Sequence, residues 1–147
     1  SSRYRVAPLA ISSVRPREGT AIRIVSGYWR RIYSCSIDYF VPELREGTWT
    51  FHDSIRFKQP GCETIGGTSG SPIIDAETRA VIGINNTGNE SGASCTLNNP
   101  CEVDATGKIS ATKGAAYGQQ LYQIYACLDA SNNIDINRAG CTLQKPK

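Results

Sequence analysis

The stretch "GGTSGSPIIDAETRAVIGI", residues 66–84, decides how the chain folds. A run of Gly and Ser on its own reads as a flexible linker, but such linkers are longer and polar on both sides. Here the run passes at once into two apolar, β-branched segments separated by the turn-forming "DAETR", the pattern of two buried strands around a turn. The glycines of "GGTSGSP" therefore belong to a constrained bend that feeds a sheet.

Outward from this stretch, "RVAPLAI", "TAIRIVSGYW", "RIYSCSIDYFV", "GTWTFHDSIRF", "GSPIIDA" and "RAVIGINN" are short runs rich in Val, Ile, Tyr, Phe and Thr, punctuated by Gly, Pro, Glu or Asn. These are six expected strands. Their spacing leaves no room for crossover helices of about a dozen residues, so the sheet is expected to be antiparallel and closed or sandwiched. Residues 86–114 are rich in Asn, Gly, Ser and Thr and read as a long loop stiffened by cysteines. After it, Tyr117, Leu121, Ile124, Tyr125 and Leu128 fall on one helical stripe, which predicts an α-helix over 116–128. The expectation is an all-β fold, an antiparallel six-stranded β-barrel with a C-terminal α-helix, formed as a single domain over residues 1–147.

Composition bounds the function. The chain is 39% apolar and 20% charged, and no apolar run approaches the roughly 18 residues needed to span a bilayer as a helix. Its start, "SSRYRVAPLA", has neither Met nor an apolar leader, so any export signal is expected to have been removed or the chain to be a fragment. Net charge is +3, with seven arginines and one acid in the first 31 residues. The alternation of "TAIRIVSGYWRR" puts Arg23 on a solvated strand face rather than on a phosphate-binding surface, so nucleic acid is not the expected partner.

Cys35, Cys62, Cys95, Cys101, Cys127 and Cys141 form an even, scattered set with no CxxC pair, which points to disulfides and an oxidising, extracellular compartment rather than to zinc. Short-loop closure would join Cys95 to Cys101 and Cys127 to Cys141 and leave Cys35 for Cys62, although the sequence does not choose among the connectivities. "DASNNID" at 129–135 spaces oxygen ligands like a calcium loop, but Ile134 stands where that loop needs Gly and Gly140 where it needs Glu, so no metal is expected. Asn85-Asn86-Thr87 and Asn89-Glu90-Ser91 fit the glycosylation triplet, a pattern frequent by chance in Asn-rich segments.

The bend also carries chemistry. A nucleophilic serine needs an exposed hydroxyl on a tight turn and backbone N–H groups aimed at the oxygen that becomes negative when a carbonyl is attacked. Gly67 and Gly70 around Ser69 permit such a turn, and the Gly67 and Ser69 amides are the candidate donors. "GTSGSPI" followed by "VIGINNTG" resembles the nucleophile loop and the next strand of chymotrypsin-like (trypsin-like) serine peptidases, whose hallmark is G-x-S-G-G/S-P. Upstream, "AIRIVSGYW" is similar to a strand early in the second barrel of that family, so nearly the whole chain resembles its C-terminal half.

The resemblance implies Ser69 as nucleophile and Gly67 and Ser69 as oxyanion donors. It implies Ile84, Asn85, Asn86, Thr87 and Gly88 as the strand lining the pocket and pairing with a peptide or protein substrate. Glu63, with Thr64 beside it, lies six residues before Ser69, where relatives that prefer a basic residue carry an acid. A surface glutamate on a disulfide-braced loop is the other reading of Glu63. Asn85 stands where glutamate-specific relatives carry His. No cofactor is implied.

Two departures matter. Thr68 stands where animal trypsins carry an acid that pairs with a newly cut N-terminus. The family's His and Asp come from the first barrel, which this chain does not contain, so a partner polypeptide or a removed N-terminal barrel is expected to supply them. His52, the only histidine, precedes Asp53 in an alternating run, and neighbours in a strand face opposite ways, so they are not expected to form an orienting pair. The alternative to a peptidase is a catalytically inactive relative kept as a binding or scaffold module.

Overall fold

Strand formation follows the β-branched runs closely. The computed structural model describes residues 6–145, and the first five strands are β1 (Ala21–Ser26), β2 (Arg31–Glu46), β3 (Trp49–Phe57), β4 (Pro72–Asp75) and β5 (Val81–Gly88). Three more follow: β6 (Cys101–Val103), β7 (Ile109–Ser110) and β8 (Ala116–Gln120). All pair antiparallel in one sheet of order β1-β4-β5-β8-β3-β2-β6-β7, and a further β1–β2 pairing closes the first six into a ring. Closure leaves these six strands without free edges.

The long β2 makes the closure possible. Its first residues pair with β1, from Arg31 opposite Ser26 to Ser36 opposite Ala21, and the rest pair with β3, with a register irregularity between Ile37 and Tyr39. Its far end also carries β6, through Glu43–Arg45. In β1 alternate residues point inward, so Ile22 and Ile24 are buried while Arg23 is exposed, as the alternation of the sequence requires.

Ile22, Ile24, Ile37, Ile55, Phe57, Ile73 and Ile82 fill the ring, and Val41, Leu44, Ala115 and Tyr117 form a second cluster. Burying each such side chain contributes about 1.5–3 kcal/mol against the entropy of ordering it. The three disulfides join Cys35 to Cys62, Cys95 to Cys101 and Cys127 to Cys141, the pairing favoured by short-loop closure. Cys35–Cys62 ties β2 to the segment that leads to Ser69.

The expected helix at 116–128 is not found. Residues 116–120 are β8, the sixth strand of the ring, and Tyr122–Cys127 is a 3-10 helix. Ala116 packs into the first core cluster and Tyr117 into the second, so successive residues serve opposite faces, which a helical stripe does not allow. Gly118 seals the seam: a Cβ there would stand 2.3 Å from Ile73 Cδ1 and 2.9 Å from the Ile84 carbonyl oxygen. Gly118→Ala is therefore expected to cost about 1–3 kcal/mol, read as a lowered urea midpoint.

The expected strand at "RVAPLAI" is also absent. Arg5 lies outside the described residues, and of the remainder only Ile11 makes an isolated bridge, to Val81. Pro8 cannot donate to a ladder and argues against a strand there. Residues 86–114, expected to be a loop, contain β6 and β7, which pair with each other and extend the sheet beyond β2. Asp129, in the calcium-like stretch, uses Oδ1 to accept the Ser131 and Asn133 amides at 2.8 and 2.9 Å.

Beyond the ring a polar network joins four strands. Glu102 on β6 accepts from Tyr117 OH and from Tyr39 OH, each at 2.7 Å, and from Arg56 Nη1, which also bonds the Tyr39 hydroxyl. Burial, and then the bond to Glu102, raise the Tyr117 phenol far above its ordinary value and push Tyr39 up to about 12. Both phenols keep their protons in the fold at a pH where those of the unfolded chain, near 10, have lost them. Stability is therefore complete below about pH 10 and falls as pH rises toward about 12. Urea unfolding from pH 9 upward checks this, and Tyr117→Phe is expected to flatten the decline.

Candidate functional site

Residues 62–71 form a corner held from three sides. Cys62 is bonded to Cys35, and Trp29 Nε1 donates to the Gly66 carbonyl at 2.9 Å. Thr68 is buried; its Oγ1 donates to the Ile65 carbonyl at 2.6 Å and accepts from Asn85 Nδ2 at 3.0 Å. Backbone bonds fix the far side, with Gly70 N–H donating to the Asn85 carbonyl and Asn85 N–H to the Ser71 carbonyl, both at 2.8 Å. Thr68 thus serves as a staple between the corner and β5. Neither it nor Asn85 signalled this partnership in the sequence, because the two lie on different elements.

Glycine is required at two points of the corner. Gly67 has φ +88° and Gly70 φ +84°, the left-handed region that side chains with a Cβ rarely occupy. A Cβ at Gly67 would also come within 3.0 Å of Trp29 Nε1. Between them Ser69 is exposed, and its hydroxyl donates to the Asn86 carbonyl at 2.9 Å. Among the described residues the Gly67 and Ser69 amides have no acceptor. The serine's own N–H and that of Gly67 are therefore both unengaged, on a turn whose backbone conformation favours glycine.

Ser69 stands on the wall of a cavity of about 750 Å³. Of the residues expected to bind substrate, Thr64, Asn85, Asn86, Thr87 and Gly88 also line it, and Gly67 sits between Gly66 and Thr68, which do. Two expected residues do not. Ile84 lies outside the lining and is exposed, because alternation along β5 turns it away from the face that carries buried Asn85. Glu63 is exposed and bends back, both carboxylate oxygens lying 3.1 Å from the Gly61 N–H. It is therefore a loop-bracing residue in this conformation rather than a pocket floor.

The sequence reading missed Glu46, Trp49, Phe51, Leu97, Asn98 and Lys113, which also line the cavity. They come from the β2–β3 hairpin end and from residues 89–114, brought together by the β2–β6 pairing and by the Asn98 N–H donating to Glu46 Oε1. Two buried polar atoms on the β5 wall, Asn85 Oδ1 and Asn86 Nδ2, have no partner. Asn85 and Asn89, first residues of the glycosylation triplets, are both buried. Such sites do not present an amide for modification in the folded chain.

His52 does not line the cavity. It is exposed on β3, opposite Glu43, while the neighbouring Asp53 pairs with Arg15. The two thus form no orienting pair, although Asp53 has φ +54° and so departs from the regular strand geometry on which that expectation rested. Chemically, the site presents a hydroxyl, two free amides and an open cavity, with no proton acceptor from a histidine. Compared with protein-family models, with curated proteins and with solved structures, the chain matches none.

Proposed function

We propose that the chain is the second barrel of an exported chymotrypsin-like serine endopeptidase, with the six-stranded ring as that barrel. The observation that carries the reading is the Ser69 hydroxyl, exposed on the cavity wall at a glycine-flanked corner beside the unengaged Gly67 and Ser69 amides. In the reaction, Ser69 Oγ attacks the substrate carbonyl carbon as its proton passes to a base. The carbonyl oxygen gains the negative charge and is held by the two amides. The tetrahedral species then expels the amine, which takes that proton from the base, and water, giving a proton to the same base, releases the acyl group from Ser69 as the acid and restores the hydroxyl.

The base is supplied from outside this chain, by an N-terminal barrel that brings His and Asp, since His52 does not line the cavity. Next to the corner, Tyr28 and Trp29 stack edge to face and Ile65 is half exposed, an apolar surface for such a barrel to cover. Three disulfides support an oxidising, extracellular setting. No helix among the described residues is long and apolar enough to cross a membrane.

One observation favours a second reading. The Ser69 hydroxyl donates to a main-chain carbonyl rather than to a base, as it would in a binding or scaffold module that has lost catalysis. Labelling separates the two. With the N-terminal barrel that supplies His and Asp in place, a fluorophosphonate is expected to modify Ser69 rapidly and Ser69→Ala not at all. A module without catalysis would label Ser69 no faster than its other exposed serines.

A further inference from the structure

We propose that Trp29 is a positioning residue for the corner: its indole N–H holds the Gly66 carbonyl and thereby sets the direction of the Gly67 N–H. The two groups belong to one peptide. Among the described residues only Gln59–Pro60 is cis, so this peptide is trans, and its planarity makes the C=O and N–H point opposite ways. Trp29 Nε1 donates to the Gly66 oxygen at 2.9 Å, so the Gly67 N–H faces away from the indole, where among the described residues it meets no acceptor.

The peptide needs such a hold because glycine stands at both of its ends. Turning a peptide over changes ψ of the residue before it and φ of the residue after it by about 180°, and a side chain at either place would oppose one of the two orientations. Gly66 has open space where a Cβ would stand, and Gly67, at φ +88°, reaches the mirror value as readily as its own. In the reversed peptide the Gly67 N–H would face the indole N–H, donor against donor, and the Gly66 carbonyl would stand where the amide now does. Trp29 is itself held: its backbone N–H donates to Ser26 Oγ at 3.3 Å at the buried end of β1, and the Tyr28 ring meets the indole edge to face at 4.9 Å between centroids. It does not line the cavity, so removing the hydrogen bond leaves the cavity walls in place.

That the Gly67 amide receives an oxyanion rests on the peptidase reading; the hold of Trp29 on the peptide does not. The test therefore has two parts. Crystal structures of the 147-residue chain are compared with those of Trp29→Phe and of a chain carrying 3-benzothienylalanine at position 29, which keeps the shape of the indole but has sulfur in place of the N–H. Both replacements are expected to show the Gly66 carbonyl reversed or divided between two directions, against one direction in the unaltered chain. In the protein assembled with the barrel that supplies His and Asp, both are expected to lower kcat for an ester about two- to twelvefold, the range set by one hydrogen bond, and to leave KM unchanged. A single, unreversed carbonyl in both variants overturns the proposal, as does a reversal with Trp29→Phe that the benzothienyl variant does not share, since shape rather than the N–H would then be the cause. An unchanged kcat in an active assembled protein, with or without a raised KM, overturns it too. Reversal in both variants, together with absent fluorophosphonate labelling of Ser69 in the assembled protein, would leave the hold of Trp29 standing and remove the peptidase.

Discussion

Ester hydrolysis by the protein assembled with the barrel that supplies His and Asp is expected to fall about a thousandfold or more on replacing Ser69 with alanine, with any remaining rate due to the amides and the cavity alone. The size of the effect follows from what is lost. The hydroxyl oxygen is the atom that would bond to the carbonyl carbon, and no other nucleophile at the corner replaces it. Gly67→Ala is expected to lower kcat as well, because a Cβ at φ +88° is strained and meets Trp29 Nε1 at 3.0 Å, turning the amide that should hold the oxyanion. His52→Ala is expected to leave the rate unchanged, since His52 is exposed on β3 and lies outside the cavity lining. A rate that survives Ser69→Ala, or one abolished by His52→Ala, would place the chemistry elsewhere.

Loss of Arg56 is expected to have the largest effect on stability. The Arg56 and Glu102 side chains are only 17% and 10% exposed, and among the described residues Arg56 is the one cation paired with Glu102. Arg56→Met removes the partner and leaves a carboxylate in a largely dry site, which costs about 3–5 kcal/mol. It also leaves the phenols of Tyr39 and Tyr117 as the only side-chain donors to Glu102 among the described residues. The double variant Arg56→Met/Glu102→Leu is expected to recover much of the loss, because it removes the stranded charge along with its partner. Urea unfolding of both variants checks the point. A single variant as stable as wild type would mean that water already reaches Glu102.

How far these features could be read from residue order depends on whether their signal is local. The alternation of Ile22, Arg23 and Ile24 marks β1, and the glycines around Ser69 mark the corner, because each pattern is confined to a few neighbouring residues. β8 escaped because Tyr117, Leu121, Ile124, Tyr125 and Leu128 imitate a helical stripe by coincidence. Gly118 was the contrary sign: glycine is poor in helices, and it is needed here because Ile73 and the Ile84 carbonyl leave no room for a Cβ.

The acid of the cavity shows the same limit from the other side. Glu63 drew attention by its spacing from Ser69, yet its carboxylate turns back to Gly61. Glu46, 23 residues before Ser69 in the chain, has no local signature and reaches the cavity only because β2 is long enough to carry β6 and the Asn98 segment. Likewise, the bond from Asn85 to Thr68 that fixes the corner links residues 17 positions apart. Contacts between elements are set by strand register, which a scan for residue types does not supply.

The central claim is that the Gly67 and Ser69 amides converge on the oxygen of a group bonded to Ser69, and a crystal structure of the phosphonylated native protein tests it most directly. The account predicts phosphorus on Ser69 Oγ and a phosphonyl oxygen about 2.7–3.1 Å from both nitrogens. Phosphorus on another residue, or a phosphonyl oxygen directed away from those amides, would contradict it.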